Sequence, residues 1–200
     1  MNGIAWTWLG IRASGITAWG LLTAVVLWGI LLRTQLLGRF AHPMKLLDLH
    51  RWLGAIAMLF LAAHMVLLMF DSFMKFNLLT LLVPFPVPGQ SPPQTLAWAL
   101  GSIAFWILLP VTFLGRVRAK MGQVGNAWFK RSHLLAYAAW PVATAHYVLA
   151  GTDALTDWSL ALLFTATALV VMALLARGFV PAPGPMRQIP AKRRTPSTLT

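Results

Sequence analysis

The chain has 200 residues, of which 58% are hydrophobic and only 10% are charged, and its formal net charge is +12 at pH 7. So little charge excludes an ordinary soluble domain and predicts an integral membrane protein. The absence of cysteine excludes disulfides and every metal centre that depends on thiolate ligands. The basic residues lie in short segments between hydrophobic runs, which favours a lipid bilayer as their partner and argues against nucleic acid.

Five hydrophobic runs are long enough to cross a bilayer as helices. They cover residues 15–32, 50–70, 95–114, 133–150 and 158–176. We therefore predict an all-α integral membrane fold, a bundle of about five transmembrane helices at residues 15–176, preceded by an N-terminal segment at 1–14. Prolines at 83–93 predict a surface loop, and the basic, Pro-rich residues 177–200 predict a disordered cytoplasmic tail.

The basic residues fall on one predicted face of this bundle. Fourteen of them do so: Arg33, Arg39, Lys45, Arg51, Arg116, Arg118, Lys120, Lys130, Arg131, Arg177, Arg187, Lys192, Arg193 and Arg194. The other face has only Arg12 and Lys75, together with Asp71, Asp153 and Asp157. The positive-inside rule then predicts that the N-terminus is outside and the C-terminus inside. We expect a multi-pass protein of the cell membrane, of the bacterial plasma membrane type. The first run is predicted to be a retained span and not a signal peptide.

Four histidines lie within the apolar runs, in two pairs. His50 and His64 are 14 residues apart, and His133 and His146 are 13 apart. An imidazole inside a membrane span is costly without a partner, so these positions indicate function. Either spacing corresponds to roughly 20 Å along a helix. Because both runs begin on the predicted cytoplasmic face, we expect His50 at the depth of His133 and His64 at the depth of His146.

Two imidazoles at each depth suit the iron of a b-type haem, which needs neither thiolate nor carboxylate ligands. Zinc prefers four ligands that converge at one point, which pairs roughly 20 Å apart cannot supply. Both axial positions of such an iron are filled, which favours electron transfer over binding of a substrate. Arg51, Lys130 and Arg131 flank the inner pair and are candidates to hold haem propionates, although membrane topology alone also explains them.

The angular positions of the histidines around each helix axis leave one question open. Fourteen residues bring His50 and His64 to the same face, whereas thirteen leave His133 and His146 roughly 140° apart on an ideal helix. Pro141 lies between the second pair and removes a backbone hydrogen bond. Either a local change of the helix at Pro141 brings both histidines to one side, or the two sites are approached from different directions.

The segments HRWLGAIAMLFLAAH and WFKRSHLLAYAAWPVATAHYVL resemble the ferric reductase-like transmembrane domain, a superfamily of NADPH oxidases, ferric reductases and the haem-binding subunit of bacterial methionine sulfoxide reductase systems. The resemblance covers roughly residues 15–176. It implies two stacked haem b groups, with iron ligands His50 and His133 at the inner site and His64 and His146 at the outer site. It also implies electron transfer from the cytoplasmic side to an extracytoplasmic acceptor or redox partner.

Relatives with a complete electron chain continue into a flavin and NADPH domain, and this sequence has no glycine-rich dinucleotide fingerprint. We therefore expect electrons from another polypeptide carrying FMN or FAD, or from a quinol, and we predict an electron-transfer subunit without catalytic residues of its own. Two alternatives stay open. One is a quinol-linked cytochrome b subunit of a partner such as a periplasmic methionine sulfoxide reductase, and the other is a small transporter or assembly protein whose histidines carry protons or a metal ion.

Overall fold

The computed structural model describes residues 6–34, 42–71, 76–84, 91–118 and 120–179. These residues form six helices: α1 (Trp6–Thr34), α2 (Pro43–Phe70), α3 (Leu78–Leu82), α4 (Pro92–Val117), α5 (Gly122–Ala150) and α6 (Asp157–Phe179). The described residues contain no strand, so the all-α prediction is confirmed. Residues 85–90 of the predicted loop, 180–200 of the predicted tail, Arg39 and Lys75 lie outside the described residues.

The helices begin and end at residues with a local physical reason. His42 precedes α2, and its Nδ1 accepts a hydrogen bond from the backbone N–H of Met44 at 3.3 Å. Helix α4 begins at Pro92, inside the stretch predicted as a loop, because proline suits a first helical turn in which its missing N–H is not needed. Helix α1 begins at Trp6 and therefore extends into the segment predicted to precede the bundle.

Four of the described helices, α1, α2, α4 and α6, have the length and the apolar composition to cross a membrane. Helix α5 is as long as α1 but is not among these four. It carries His133, His146, Pro141 and, near its start, Lys130 and Arg131, and these residues lower its mean hydropathy. The structure therefore supports a multi-pass membrane protein, and the polar residues of α5 are the ones that weaken the predicted span at 133–150.

Helix α1 packs against three other long helices. It lies antiparallel to α2 and also contacts α5 and α6, while α4 packs against α5 and the short α3. Trp140 of α5 is buried against α1 and α6, within a cluster formed by Leu22, Val26, Ile30, Trp140 and Val170. The indole N–H of Trp140 donates to Thr23 Oγ1 at 2.9 Å, and that of Trp19 donates to Thr144 Oγ1 at 3.0 Å. These bonds satisfy polar groups that would be costly within the bundle.

Charged side chains lie at opposite ends of the bundle. The described basic residues at one end, here called the basic end, are Arg33, Lys45, Arg51, Arg116, Arg118, Lys120, Lys130, Arg131 and Arg177. The other end, here called the acidic end, has Asp71, Asp153 and Asp157, with Arg12 as the one basic residue among those the structure describes. Large apolar side chains such as Leu59, Phe164 and Leu175 are exposed between the ends, as a lipid-facing surface requires.

Candidate metal centres

A cavity of about 1400 Å³ runs between the α1–α2 pair and the α4–α5 pair and reaches both ends of the bundle. All four intramembrane histidines line it: His50, His64, His133 and His146. The ring centroids of His50 and His133 are 6.1 Å apart, and those of His64 and His146 are 6.4 Å apart. The expected pairing at two depths is therefore present in the structure.

The distance between the rings is informative about what they can hold. A metal ion held between the two rings by one nitrogen of each, at about 2 Å, would separate the ring centroids by roughly 6 Å. Both observed separations are close to this value. The planes of the two rings are inclined to each other by 77° in the His50–His133 pair and by 79° in the His64–His146 pair. Among the described residues no third histidine or carboxylate joins either pair. Each site therefore offers two imidazoles from opposite walls of the cavity.

The contacts also show which helix the two histidines of α5 lie against. Pro141 lies inside a continuous α5, and both His133 and His146 face partners on α2. Of the two possibilities, α5 presents both histidines to one opposing helix.

Backbone carbonyls orient the pair at the acidic end. The Nδ1 atom of His64 donates to the carbonyl oxygen of Ile11 at 2.9 Å, and that of His146 donates to the carbonyl oxygen of Ala97 at 2.7 Å. Because a carbonyl can only accept, the proton resides on Nδ1, and Nε2 keeps its lone pair for a metal. Such a bond holds the ring and raises the basicity of the ligand.

Glycines on the neighbouring helices make room for the histidines. A Cβ atom added at Gly15 would lie 2.9 Å from Nδ1 of His64, and one at Gly101 would lie 2.7 Å from Cε1 of His146. A Cβ at Gly29 would lie 3.3 Å from Cε1 of His50. Only a residue without Cβ allows the outer two approaches without displacing the ring.

These glycines were not predicted from the sequence, although a signal was present. Gly15 and Gly29 on α1 are 14 residues apart, as are Gly101 and Gly115 on α4. That is the spacing of His50 and His64, so the glycines recur at the same two depths as the ligands. The repeated spacing becomes meaningful once α1 is known to pack against α2, and α4 against α5.

Arginines rather than lysines line the cavity at the basic end. Arg51, one of the residues predicted to contact a propionate, lines it and donates to Asp48 at 3.1 Å. Lys130 and Arg131 are exposed and lie outside the lining, so their contact with a propionate stays a prediction. Arg116 and Arg118 line the cavity instead. In the sequence these two residues indicated topology only.

At the acidic end the cavity is lined by a polar cluster that was not predicted as part of the site. Arg12 forms an ion pair with Asp153, and its guanidinium lies 4.0 Å from the centre of the Trp8 ring. Asp71 accepts a hydrogen bond from Thr7 at 3.4 Å. All five of these residues line the cavity. Arg12, the one basic residue at the acidic end among those the structure describes, is thus already paired with a carboxylate.

The described residues thus form a helical membrane bundle with two facing imidazole pairs at two depths. The chain belongs to the family described as the ferric reductase-like transmembrane component, whose family model matches residues 14–144. This match confirms the resemblance noted in the two histidine-bearing segments. The matched range contains His50, His64 and His133 and ends just before His146. No curated protein and no solved structure matched the chain.

Proposed function

We propose that this protein carries electrons across a membrane through two b-type haems, each held by two histidines. The observation that carries the proposal is the presence of two facing imidazole pairs, at 6.1 and 6.4 Å, in one cavity that spans the bundle. Membership of the ferric reductase-like family supports transmembrane electron transfer as the activity. In this proposal α5 also crosses the membrane, together with α1, α2, α4 and α6, so the bundle has five spans.

The residues present fit two haems. Each pair supplies two imidazoles that could hold one metal ion between them, and close-approach glycines let the rings of His50, His64 and His146 lie against α1 and α4. A pocket for one small ligand typically measures about 300–1,000 Å³, and the cavity of about 1400 Å³ exceeds that range. A haem iron with two imidazole ligands supplies one-electron transfer and has no free position for a substrate.

The protein's own side chains have three tasks in this scheme. His50 and His133 hold the haem at the basic end, and His64 and His146 hold the one at the acidic end. The carbonyls of Ile11 and Ala97 fix the ring orientation of the second pair. Apolar lining residues exclude water. Arg51, Arg116 and Arg118 at the basic end are placed to balance the negative charge of propionates, whereas Arg12 at the acidic end is already paired with Asp153.

The distribution of charge supports a direction for the electrons. By the positive-inside rule the basic end faces the cytoplasm, so the donor, a flavoprotein or a quinol, delivers electrons near His50 and His133. The acceptor, which is ferric iron, oxygen or an extracytoplasmic redox protein, is then reduced beside His64 and His146. The two histidines of each helix are about 20 Å apart along its axis, so the two sites would lie at well-separated depths.

The first test is the haem content of the purified protein. We expect two haems per chain, with a reduced-minus-oxidised spectrum typical of six-coordinate b-type haem. His50→Ala and His64→Ala should each leave one haem per chain, because each removes a ligand of a different site. His42→Ala is the matched control, because His42 is exposed and serves only to cap α2. A colourless wild-type protein, or unchanged haem content in both variants, would overturn the proposal.

The orientation is testable because the chain has no cysteine of its own. Leu155 is 79% exposed at the acidic end, and Met121 is 46% exposed at the basic end. We expect a membrane-impermeant maleimide to label Leu155→Cys in intact cells, and to label Met121→Cys only after the membrane has been permeabilised. The cysteine-free parent provides the background. Labelling of Met121→Cys alone in intact cells would reverse the proposed direction.

A further inference from the structure

We infer that Phe129 and Arg118 together position His133 and tune the metal site at the basic end, a role that backbone carbonyls have at the acidic end. The inference rests on the proposed function, since it concerns how one of the two haem ligands is held. Neither residue touches the metal, so both are positioning residues.

Three side chains form a column that leads from the basic end to the ligand. The Phe129 ring stacks on His133, with centroids 4.9 Å apart and planes inclined by 27°. On Phe129 lies the guanidinium of Arg118, 4.3 Å from the ring centre. Phe129 and His133 are four residues apart on α5 and therefore occupy one face of the helix. All three residues line the cavity.

The two histidine pairs differ in the hydrogen bonds of their Nδ1 atoms, and this difference explains why His133 needs another contact. Nδ1 of His64 and of His146 each has a carbonyl partner. Nδ1 of His133 is buried and, among the described residues, has no hydrogen-bond partner. Nδ1 of His50 is also without one, although the backbone of Val25 is close to it. Without a hydrogen bond the torsion of the His133 ring is broad, and stacking on Phe129 is the contact that restrains it.

Helix α4 also differs in how it contacts the two histidine pairs. Its Gly101 lies directly against His146, whereas a Cβ at Gly115, 14 residues later, would lie 3.4 Å from Cε2 of Phe129. At the acidic end α4 therefore contacts the ligand itself. At the basic end it contacts Phe129, which in turn contacts the ligand. The ring of Phe129 occupies the space between Gly115 and His133.

Arg118 adds a charge to this arrangement. Cations are attracted to the face of an aromatic ring, so the guanidinium of Arg118 helps to hold the Phe129 ring in place. Its positive charge also disfavours the ferric form of a nearby bis-imidazole haem, which carries one more positive charge than the ferrous form. Arg118 should therefore raise the reduction potential of the haem at the basic end more than that of the other haem.

The positioning role is tested with Phe129→Leu on the purified, haem-loaded protein. We expect the low-spin electron paramagnetic resonance signal and the midpoint potential of one haem to change, while those of the other stay as in the wild type. Phe129→Tyr, which keeps the ring, should restore both properties. Phe105→Leu is the control, because Phe105 contacts Trp106 and does not line the cavity. Two unchanged haem signals in Phe129→Leu would overturn the inference.

The effect of the Arg118 charge is tested separately. If Phe129→Leu fails to fold, the Arg118 variants can still refute the inference. Arg118→Gln should lower the midpoint potential of the same haem, and Arg118→Lys should lower it less. Lys120→Gln, which removes an exposed charge outside the cavity at the same end, should leave it unchanged. Equal shifts in Arg118→Gln and Lys120→Gln, or no shift in Arg118→Gln, would overturn the inference. A wild-type protein without haem would instead refute the proposed function.

Discussion

Gly101→Ala is expected to leave the site of His64 and His146 without haem while the other site stays filled. The new methyl group would lie 2.7 Å from Cε1, 2.9 Å from Nδ1 and 3.2 Å from Nε2 of His146. The ring cannot retreat freely, because its Nδ1 is bonded to the carbonyl of Ala97 at 2.7 Å. Relief of this overpacking costs roughly 1–3 kcal/mol and moves the ligand. Haem quantification should give one haem per chain.

The matched control is Gly20→Ala, on helix α1. A Cβ at Gly20 meets nothing within 4 Å, and Gly20 does not line the cavity. An alanine there should stabilise the helix by about 0.5–1 kcal/mol, because it removes conformational freedom from the unfolded chain. Two haems per chain in Gly20→Ala and one in Gly101→Ala would separate steric contact with the ligand from loss of glycine. Two haems in both variants would contradict the assigned role of Gly101.

Trp140→Ala should destabilise the whole bundle and lower the content of both haems together. Trp140 is 8% exposed and fills the junction where α5 meets α1 and α6. Truncation of a buried tryptophan costs about 3–5 kcal/mol, and the lower part of that range suits a bilayer, where packing rather than exclusion from water supplies the energy. It also leaves Thr23 Oγ1 without its indole donor. Thermal denaturation of the detergent-solubilised protein measures the effect.

Two variants help to interpret that result. Trp140→Phe keeps most of the packing and removes only the hydrogen bond, so we expect a loss of about 1 kcal/mol. Trp128→Ala removes an exposed tryptophan at the basic end and should leave stability and haem content unchanged. Selective loss of one haem in Trp140→Ala would contradict a role in the common core of the bundle.

The elements that were predictable from the sequence depend on local properties. The long helices follow from runs of apolar residues, and the histidines stand out within them because an imidazole is costly in lipid wherever it lies. Their spacing along each helix follows from a constant rise per residue. The depth pairing of His50 with His133 and of His64 with His146 was therefore predictable before any packing was known.

Other features were not predictable because they depend on neighbours from distant parts of the chain. Gly101 is an ordinary helical glycine until α5 brings His146 against it, and Phe129 is an ordinary apolar residue until it stacks on His133. Arg118 and Lys130 look alike in the sequence, yet only Arg118 lines the cavity. Which side a residue faces depends on how its helix is rotated in the bundle, and short-range sequence patterns do not specify that rotation.

The sequence by itself thus determined the class of protein, the candidate ligands, their two depths and the asymmetry of charge between the ends, because composition, spacing and charge are properties of single segments. The tertiary structure alone decided that both histidines of α5 face α2 across Pro141, that two of the four histidines bond to backbone carbonyls, and that a third stacks on a phenylalanine. These depend on the rotation and contact of whole helices, which arise only when α1, α2, α4 and α5 pack together.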